Sequence, residues 1–327
     1  MSSDRYGLFP INNNPNSDFD VIFIHGLGGD KYTTWENSDG VSWQNWLAED
    51  YLHEASVWTI AYGANATNWI EDDMSLDQAA DFMLGELASH GIGEKPYMFI
   101  VHSLGGLLVK KILLKANTHP EYQELTDMCK SIVFFAVPHT GSGWSDLLSY
   151  AKPLLRNSKL LKVLNKGIEY LNDLVRDFNG LVVKKSIETY VFYETKEVRA
   201  SGILSWGHFK KGIIIVSEES ATHVHSNNQM VGLPDDHSSI CKIDSKDSSI
   251  YRSRIKIIMS KMIEVSTDMK KDTVENEEIG HGSEQAPRFN IKGDYINGDK
   301  YVHNDRSVTV GCSNTGTIIT GDNNIIK

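Results

Sequence analysis

An α/β fold wound on both faces of a mostly parallel sheet is what the sequence predicts, on three observations. Apolar runs of strand length recur along the chain, helical stretches separate them, and glycine-rich turns follow the first and third runs. Runs that are continuously apolar rather than alternating mark strands covered on both faces. Strand alternating with helix marks parallel pairing through crossover helices.

The elements follow in order. The opening MSSDRYGLFP lacks the basic and apolar regions of a secretory signal, and residues 1–17 are read as an N-terminal extension. The first strand is DVIFIH (20–25), and WQNWLAEDYL is the first helical stretch. VWTIAYG (57–63) is the second strand, followed by the helical LDQAADFMLGELASH. The third strand, YMFIVH (97–102), runs into the helical GGLLVKKILLKA. SIVFFAV (131–137), ETYVFYE (188–194) and GIIIVS (212–217) complete the six candidate strands. Between the fourth and fifth, Leu161, Leu164, Ile168, Leu171, Val175 and Phe178 recur at steps of three and four. They form one apolar helical stripe, serving either to pack on the sheet or to cover an apolar pocket as a lid. Residues 18–265 thus read as one domain.

Beyond it, residues 266–288 are rich in charge, Ser, Thr and Gly, and read as a linker with too little apolar surface to offset its ordering entropy. Residues 289–327 change composition again: Gly-Asp recurs at 293–294, 298–299 and 321–322 among short β-branched or aromatic pairs. Asn297-Gly298 is a hairpin-turn dipeptide. A small β module is expected here, too short for a core of its own, whether a hairpin, a solenoid fragment or strands that stack with further copies.

Composition excludes several function classes. The chain has 327 residues, 40% of them hydrophobic and 23% charged, as in globular proteins. Its net charge of −11 argues against nucleic-acid binding, which needs a cationic surface to displace counterions, and against a polybasic membrane patch. No apolar run approaches the ~18 residues of a membrane span, although contact with a membrane surface stays open. Cys129, Cys241 and Cys312 form neither a C-x-x-C pair nor an even framework, so reduced thiols and a cytoplasmic location are expected.

The chemistry centres on VHSLGG at the end of the third strand. Ser103 falls on a tight strand-to-helix turn that presents its hydroxyl as a nucleophile, with the following helix N-terminus beside a developing oxyanion. Val101 stands where the usual G-x-S-x-G pattern has its first glycine. After the first strand, HGLGGD (25–30) lets the amide of Leu27 join that of Leu104 as an oxyanion hole. No Walker or Rossmann glycine pattern is present. In an α/β-hydrolase sheet the order is nucleophile, acid, histidine, and Ser103, Glu194 and His237 each follow a suitable strand end. His237 would take the serine proton and Glu194 would orient it. Glu218 and Glu219 compete for the acid role, and Asp146 less so; Asp235 and Asp236 are read as shaping the His237 loop. His102 is expected to pack away from the serine, because strand neighbours face opposite sides. His25 is read as a structural histidine beside the oxyanion loop. His223 and His225 lack companions with zinc spacing and read as a solvated loop.

FIHGLGGDKYTTW, IVHSLGGLLVKKIL, FFAVPHTGS, FYET, IVSEESA and DHSSICK, in that order, resemble the serine-active-site-containing hydrolases. That lipase-like branch of the α/β-hydrolases is akin to GPI inositol-deacylases and is also found at the N-termini of fungal NLR-type immune receptors. The resemblance covers residues 18–262. It implies ester hydrolysis, often of lipids, with no metal or cofactor, through Ser103, His237 and most plausibly Glu194. Ala136-Val137 departs from the Gly-Val common before Pro-His in that group. The tail resembles the Gly/Asn-rich β motifs of amyloid-type signalling segments. This implies self-assembly or an NLR-type partner through residues 289–327 and a role in defence. The expectation is therefore a cytoplasmic serine esterase acting on a lipid or other acyl ester. Its alternative is a catalytically silent hydrolase-fold scaffold that works through the tail.

Overall fold

In a computed structural model of the chain, the described residues are 6–62, 75–139, 141–151, 168–198, 214–221 and 230–281, together with short strands between 288 and 326. They form two compact units, Met1–Thr267 and Asp268–Lys327.

The first unit is built on seven strands: β1 Gly7–Asn12, β2 Phe19–Ile24, β3 Ala55–Ala61, β4 Tyr97–His102, β5 Cys129–Phe135, β6 Glu188–Glu194 and β7 Val231–Leu233. Their order across the sheet is β1-β3-β2-β4-β5-β6-β7, with β1 antiparallel to β3 and every other pair parallel. This is the α/β-hydrolase sheet. β2 and β4 are buried along their whole length, as continuous apolar runs require. The chain leaves β2 for β3 on one side and returns to β4 on the other, so the order reverses between β2 and β4. The crevice outside the carboxyl ends of such a pair is where open α/β sheets bind ligands.

Helices α1 Trp43–Asp50, α2 Leu76–Ser89, α3 Leu104–Thr118, α4 Gln123–Met128, α5 Gly141–Ala151 and α6 Ile168–Lys185 lie between the strands. Local chemistry sets their starts. The Ser42 hydroxyl accepts from the Gln44 amide at the head of α1. Ser75 and Gln78 form a reciprocal capping box on α2, an arrangement whose loss costs about 1 kcal/mol. On α6, Leu171, Leu174, Val175, Phe178, Leu181 and Val182 are buried, so the described part of the apolar stripe packs into the core. Leu161 and Leu164 lie outside the described residues.

Three expectations meet a different structure. Residues 7–12 of the expected extension form the edge strand β1, pairing Gly7 with Ala61 and Leu8 with Ile60. The apolar run 212–217 is not a strand over its described residues 214–217; Ile215 and Val216 are buried, but the Val216 amide donates to a carboxylate instead of a ladder. The short β7 takes the place beside β6. Helix α7, Lys256–His281, continues into the stretch read as a linker. Its upstream turns are anchored by buried Ile258, Met259 and Met262, and propagating an existing helix through Lys, Glu and Met costs little. A Lys271–Asp268 pair at 3.1 Å adds local support.

In the second unit, β8 Arg288–Phe289, β11 Val308–Thr309, β12 Ile318–Ile319 and β13 Ile325–Ile326 form an antiparallel sheet in the order β13-β12-β11-β8. β9 Gly293–Asn297 and β10 Lys300–Asn304 pair antiparallel with Asn297 opposite Lys300. Among the described residues no helix is long and apolar enough to cross a membrane.

Candidate active site

β4 ends at His102 and α3 begins at Leu104, so Ser103 alone turns strand into helix. Its backbone has φ 50° and ψ −120°, a conformation that costs a non-glycine residue on the order of 1–3 kcal/mol. Two bonds hold it there: the Ser103 amide donates to Phe135 O at 3.0 Å and the Gly106 amide to Ser103 O at 3.0 Å. The turn also needs a close neighbour without side chains. A Cβ on Gly105 would stand 2.6 Å from His25 O, and one on Gly26 would stand 2.8 Å from Ser103 Cβ. Val101 does not prevent the turn. It is buried inside β4, between Ile24 of β2 and Phe134 of β5, with the bend confined to residue 103. Ala136, at φ 46°, sits in the left-handed region, which explains why glycine suits that position.

Ser103 Oγ lies 2.8 Å from His237 Nε2, and His237 Nδ1 lies 3.1 Å from Glu194 Oε2. Paired this way, the Nδ1 hydrogen is donated to the carboxylate, and Nε2 accepts from the serine hydroxyl. The three residues are 1%, 2% and 1% exposed in the order Ser103, His237, Glu194. Glu194 is the last residue of β6, and its second oxygen accepts the Val216 amide at 2.5 Å. His237 follows β7 on a loop tied to the end of β6, where the Thr195 amide donates to Leu233 O and the Lys196 amide to Asp235 O. Asp236 shapes that loop: its Oδ1 accepts the amides of Ser238 and Ser239, each at 2.9 Å. Asp235 accepts the Ser239 hydroxyl at 3.1 Å.

The competing acids stand elsewhere. Glu218 and Glu219 are exposed on a single helical turn, Glu218–Ala221, and Glu218 lies against Tyr193. Asp146 is half-buried on α5, where burial raises its carboxyl. Leu104 opens α3 beside Ser103, and Leu27 follows Gly26, which presses on Ser103. Neither amide has an acceptor among the described residues. His25 stacks on Tyr62 with centroids 4.6 Å apart, and burial lowers it to about 4. The Tyr62 hydroxyl donates to His25 O at 2.7 Å, bracing the glycine turn. Among the described residues no group of His, Cys, Asp and Glu is placed to hold a metal ion. His223 and His225 lie outside the described residues.

Two neighbours of His237 were not legible beforehand. His102 does not pack away from the site: its Nε2–H donates to His237 O at 2.8 Å, and the two rings are 5.1 Å apart. Strand alternation holds only while the strand continues, and the bend at Ser103 ends it. Burial first, then the proximity of His237, lowers His102 to about 3, so its ring is neutral. Tyr150, on α5, meets the His237 ring at 5.5 Å and 65°. Nothing in the pattern of α5 singles it out.

No family model matches the chain. Over 260 residues it is 28% identical to Protein SERAC1 of Mus musculus, and over 262 residues 29% identical to Protein SERAC1 of Danio rerio. Each match covers 73% of this chain and 38% of that protein, so the chain spans well under half the length of these relatives. Among solved structures, phospholipase PlaB of Legionella pneumophila aligns with a TM-score of 0.49 and 15% identity, covering 80% of this chain and 64% of that one.

Proposed function

We propose that the chain is a serine hydrolase that cleaves an acyl ester through an acyl-enzyme on Ser103. The observation that carries this reading is the buried line of hydrogen bonds from Ser103 Oγ through His237 to Glu194. In the first half-reaction Ser103 Oγ attacks the ester carbonyl as His237 Nε2 takes its proton, and the amides of Leu27 and Leu104 receive the oxyanion. His237 then protonates the leaving alcohol. In the second half, water attacks the acyl-serine by the same route, releasing the acid and restoring the hydroxyl. Glu194 holds the Nδ1 hydrogen throughout and stabilises the imidazolium. No step asks for a metal or cofactor.

A lipid acyl ester is the substrate class we favour, on the likeness of the six sequence blocks to lipase-like hydrolases. The strands of residues 288–326 would serve assembly with identical copies or with an NLR-type partner, in the cytoplasm. A fluorophosphonate probe tests the central reading. Labelling of the folded wild type that disappears in Ser103→Ala supports it. An unlabelled wild type, inert toward p-nitrophenyl esters and lipid panels, favours a silent scaffold.

A further inference from the structure

We infer that His102 is a positioning residue that ties the base to the nucleophile, through a main-chain bond that proton transfer leaves intact. The inference rests on the serine-hydrolase reading above. Both imidazole nitrogens of His237 face reacting partners, Ser103 at Nε2 and Glu194 at Nδ1. Those bonds change strength as the proton moves, so they are poor anchors for the loop that carries the ring. The loop leaves a strand of only three residues, Val231–Leu233. Main-chain bonds at Leu233 and Asp235 tie it to the end of β6, and the side-chain bonds from Asp235 and Asp236 are internal to it, but none of these reaches the nucleophile.

His102 supplies the missing link. It is the last residue of the central strand β4, registered against Phe135 of β5, and its chain neighbour is Ser103. Its Nε2–H reaches His237 O at 2.8 Å, so the spacing between nucleophile and base is set by one covalent step and one hydrogen bond. The ring has little freedom to turn away. Gly26 lies so close that a Cβ there would stand 2.7 Å from His102 Nδ1. A neutral donor also suits the place: when His237 takes the serine proton, a second cation 5.1 Å away would oppose it. A neutral imidazole holds the carbonyl without that repulsion.

The test compares His102→Gln, whose side-chain amide places a donor near the Nε2 position, with His102→Leu, which fills the space without one. Wild type and variants are followed by p-nitrophenyl butyrate hydrolysis, by thermal melting and by the low-field proton resonance of the His237–Glu194 hydrogen bond, assigned by its absence in His237→Ala. His102→Leu is expected to lose roughly 10- to 100-fold in kcat with KM within about twofold, and to lose or shift the low-field resonance. His102→Gln is expected to return to within about threefold of wild type and to keep the resonance. Should the leucine variant fail to fold, His102→Asn, whose shorter amide cannot span to the carbonyl, takes its place. A glutamine variant as impaired as leucine while folded, or a leucine variant with wild-type kcat and resonance, would overturn the inference. If the wild type itself proves inert toward ester and fluorophosphonate, the hydrolase reading fails on its own, and the resonance still reports whether His102 holds His237 in place.

Discussion

Glu194 and His237, 43 residues apart in the chain, meet through Oε2 and Nδ1 at 3.1 Å while the other Glu194 oxygen is occupied by the Val216 amide. A carboxylate held at both oxygens has one orientation, and it lends that orientation to the imidazole. The buried run around Val216 thus acts as a bracket for the acid.

Replacing Glu194 by Gln should therefore be severe with the fold kept. The amide can offer its NH₂ group to Nδ1, which favours the wrong tautomer and removes the charge that steadies the imidazolium. A loss of roughly 10³- to 10⁴-fold in kcat is expected, as for an equivalent change in other triads. Glu218→Gln and Glu219→Gln, at exposed positions, should remain within about threefold, since surface changes away from a site are usually small. Steady-state hydrolysis of p-nitrophenyl esters, with circular dichroism to verify folding, decides it. A larger loss at residue 218 or 219 would move the acid.

Gly26→Ala should damage the site by a different route. The new methyl would meet Ser103 Cβ at 2.8 Å and His102 Nδ1 at 2.7 Å, and the strained serine turn has no slack to give. A stability loss of about 1–3 kcal/mol is expected from such overpacking, with a steeper fall in fluorophosphonate labelling rate. Gly28→Ala is the contrast. No atom lies within 4 Å of its Cβ position, so only the positive φ of 70° resists the change, and labelling should persist.

How much of this was readable beforehand depends on whether a feature is local. The third strand, the bend at Ser103 and the strand-end position of Glu194 follow from apolar runs, and His237 from chain order alone, because the strand expected before it at 212–217 is replaced by the short β7, Val231–Leu233. β1 escapes a reading by apolar runs because Pro10 interrupts the short segment GLFPIN, and proline is accepted in a strand chiefly at an edge or a bulge. The run 212–217 looked like a strand because periodicity cannot tell a ladder from a buried segment whose amide serves a side chain. His102 and Tyr150 are tertiary neighbours of His237, and no spacing along the chain announces such contacts.

The buried thiols offer a simple check on the core. Cys129 and Cys241 are fully buried, and burial pushes each up to about 12. Thiolate, the reactive form, is then scarce at neutral pH. Neither should be alkylated by iodoacetamide in the native protein within hours, and both should react promptly in guanidinium. Peptide mapping reads this residue by residue. Rapid native alkylation of Cys129 would contradict the burial of the β4–β5 pair.

Lys110 carries the remaining prediction. It sits on the inner face of α3, fully buried, with Nζ and His139 Nδ1 hydrogen-bonded at 2.8 Å. The rings of Phe134, Trp144 and Phe178 stand 5.7 to 5.9 Å from Nζ. Cation–π attraction at that range is worth about 0.5–2 kcal/mol, while burying an ammonium costs several kcal/mol. Desolvation wins, and Lys110 is driven well below its usual 10.5. The sign then follows. Between that depressed native value and 10.5 the unfolded chain holds a proton that the native chain does not. Stability contributed by this group therefore rises with pH across the window. Lys110→Met removes the group from both states, so the melting temperature of the variant minus that of the wild type should fall as pH rises through that window toward 10.5. Its absolute value at any one pH also contains the loss of the His139 partner, which makes the slope the diagnostic quantity. A difference that is flat or rises with pH would mean the buried amine is charged in the native state.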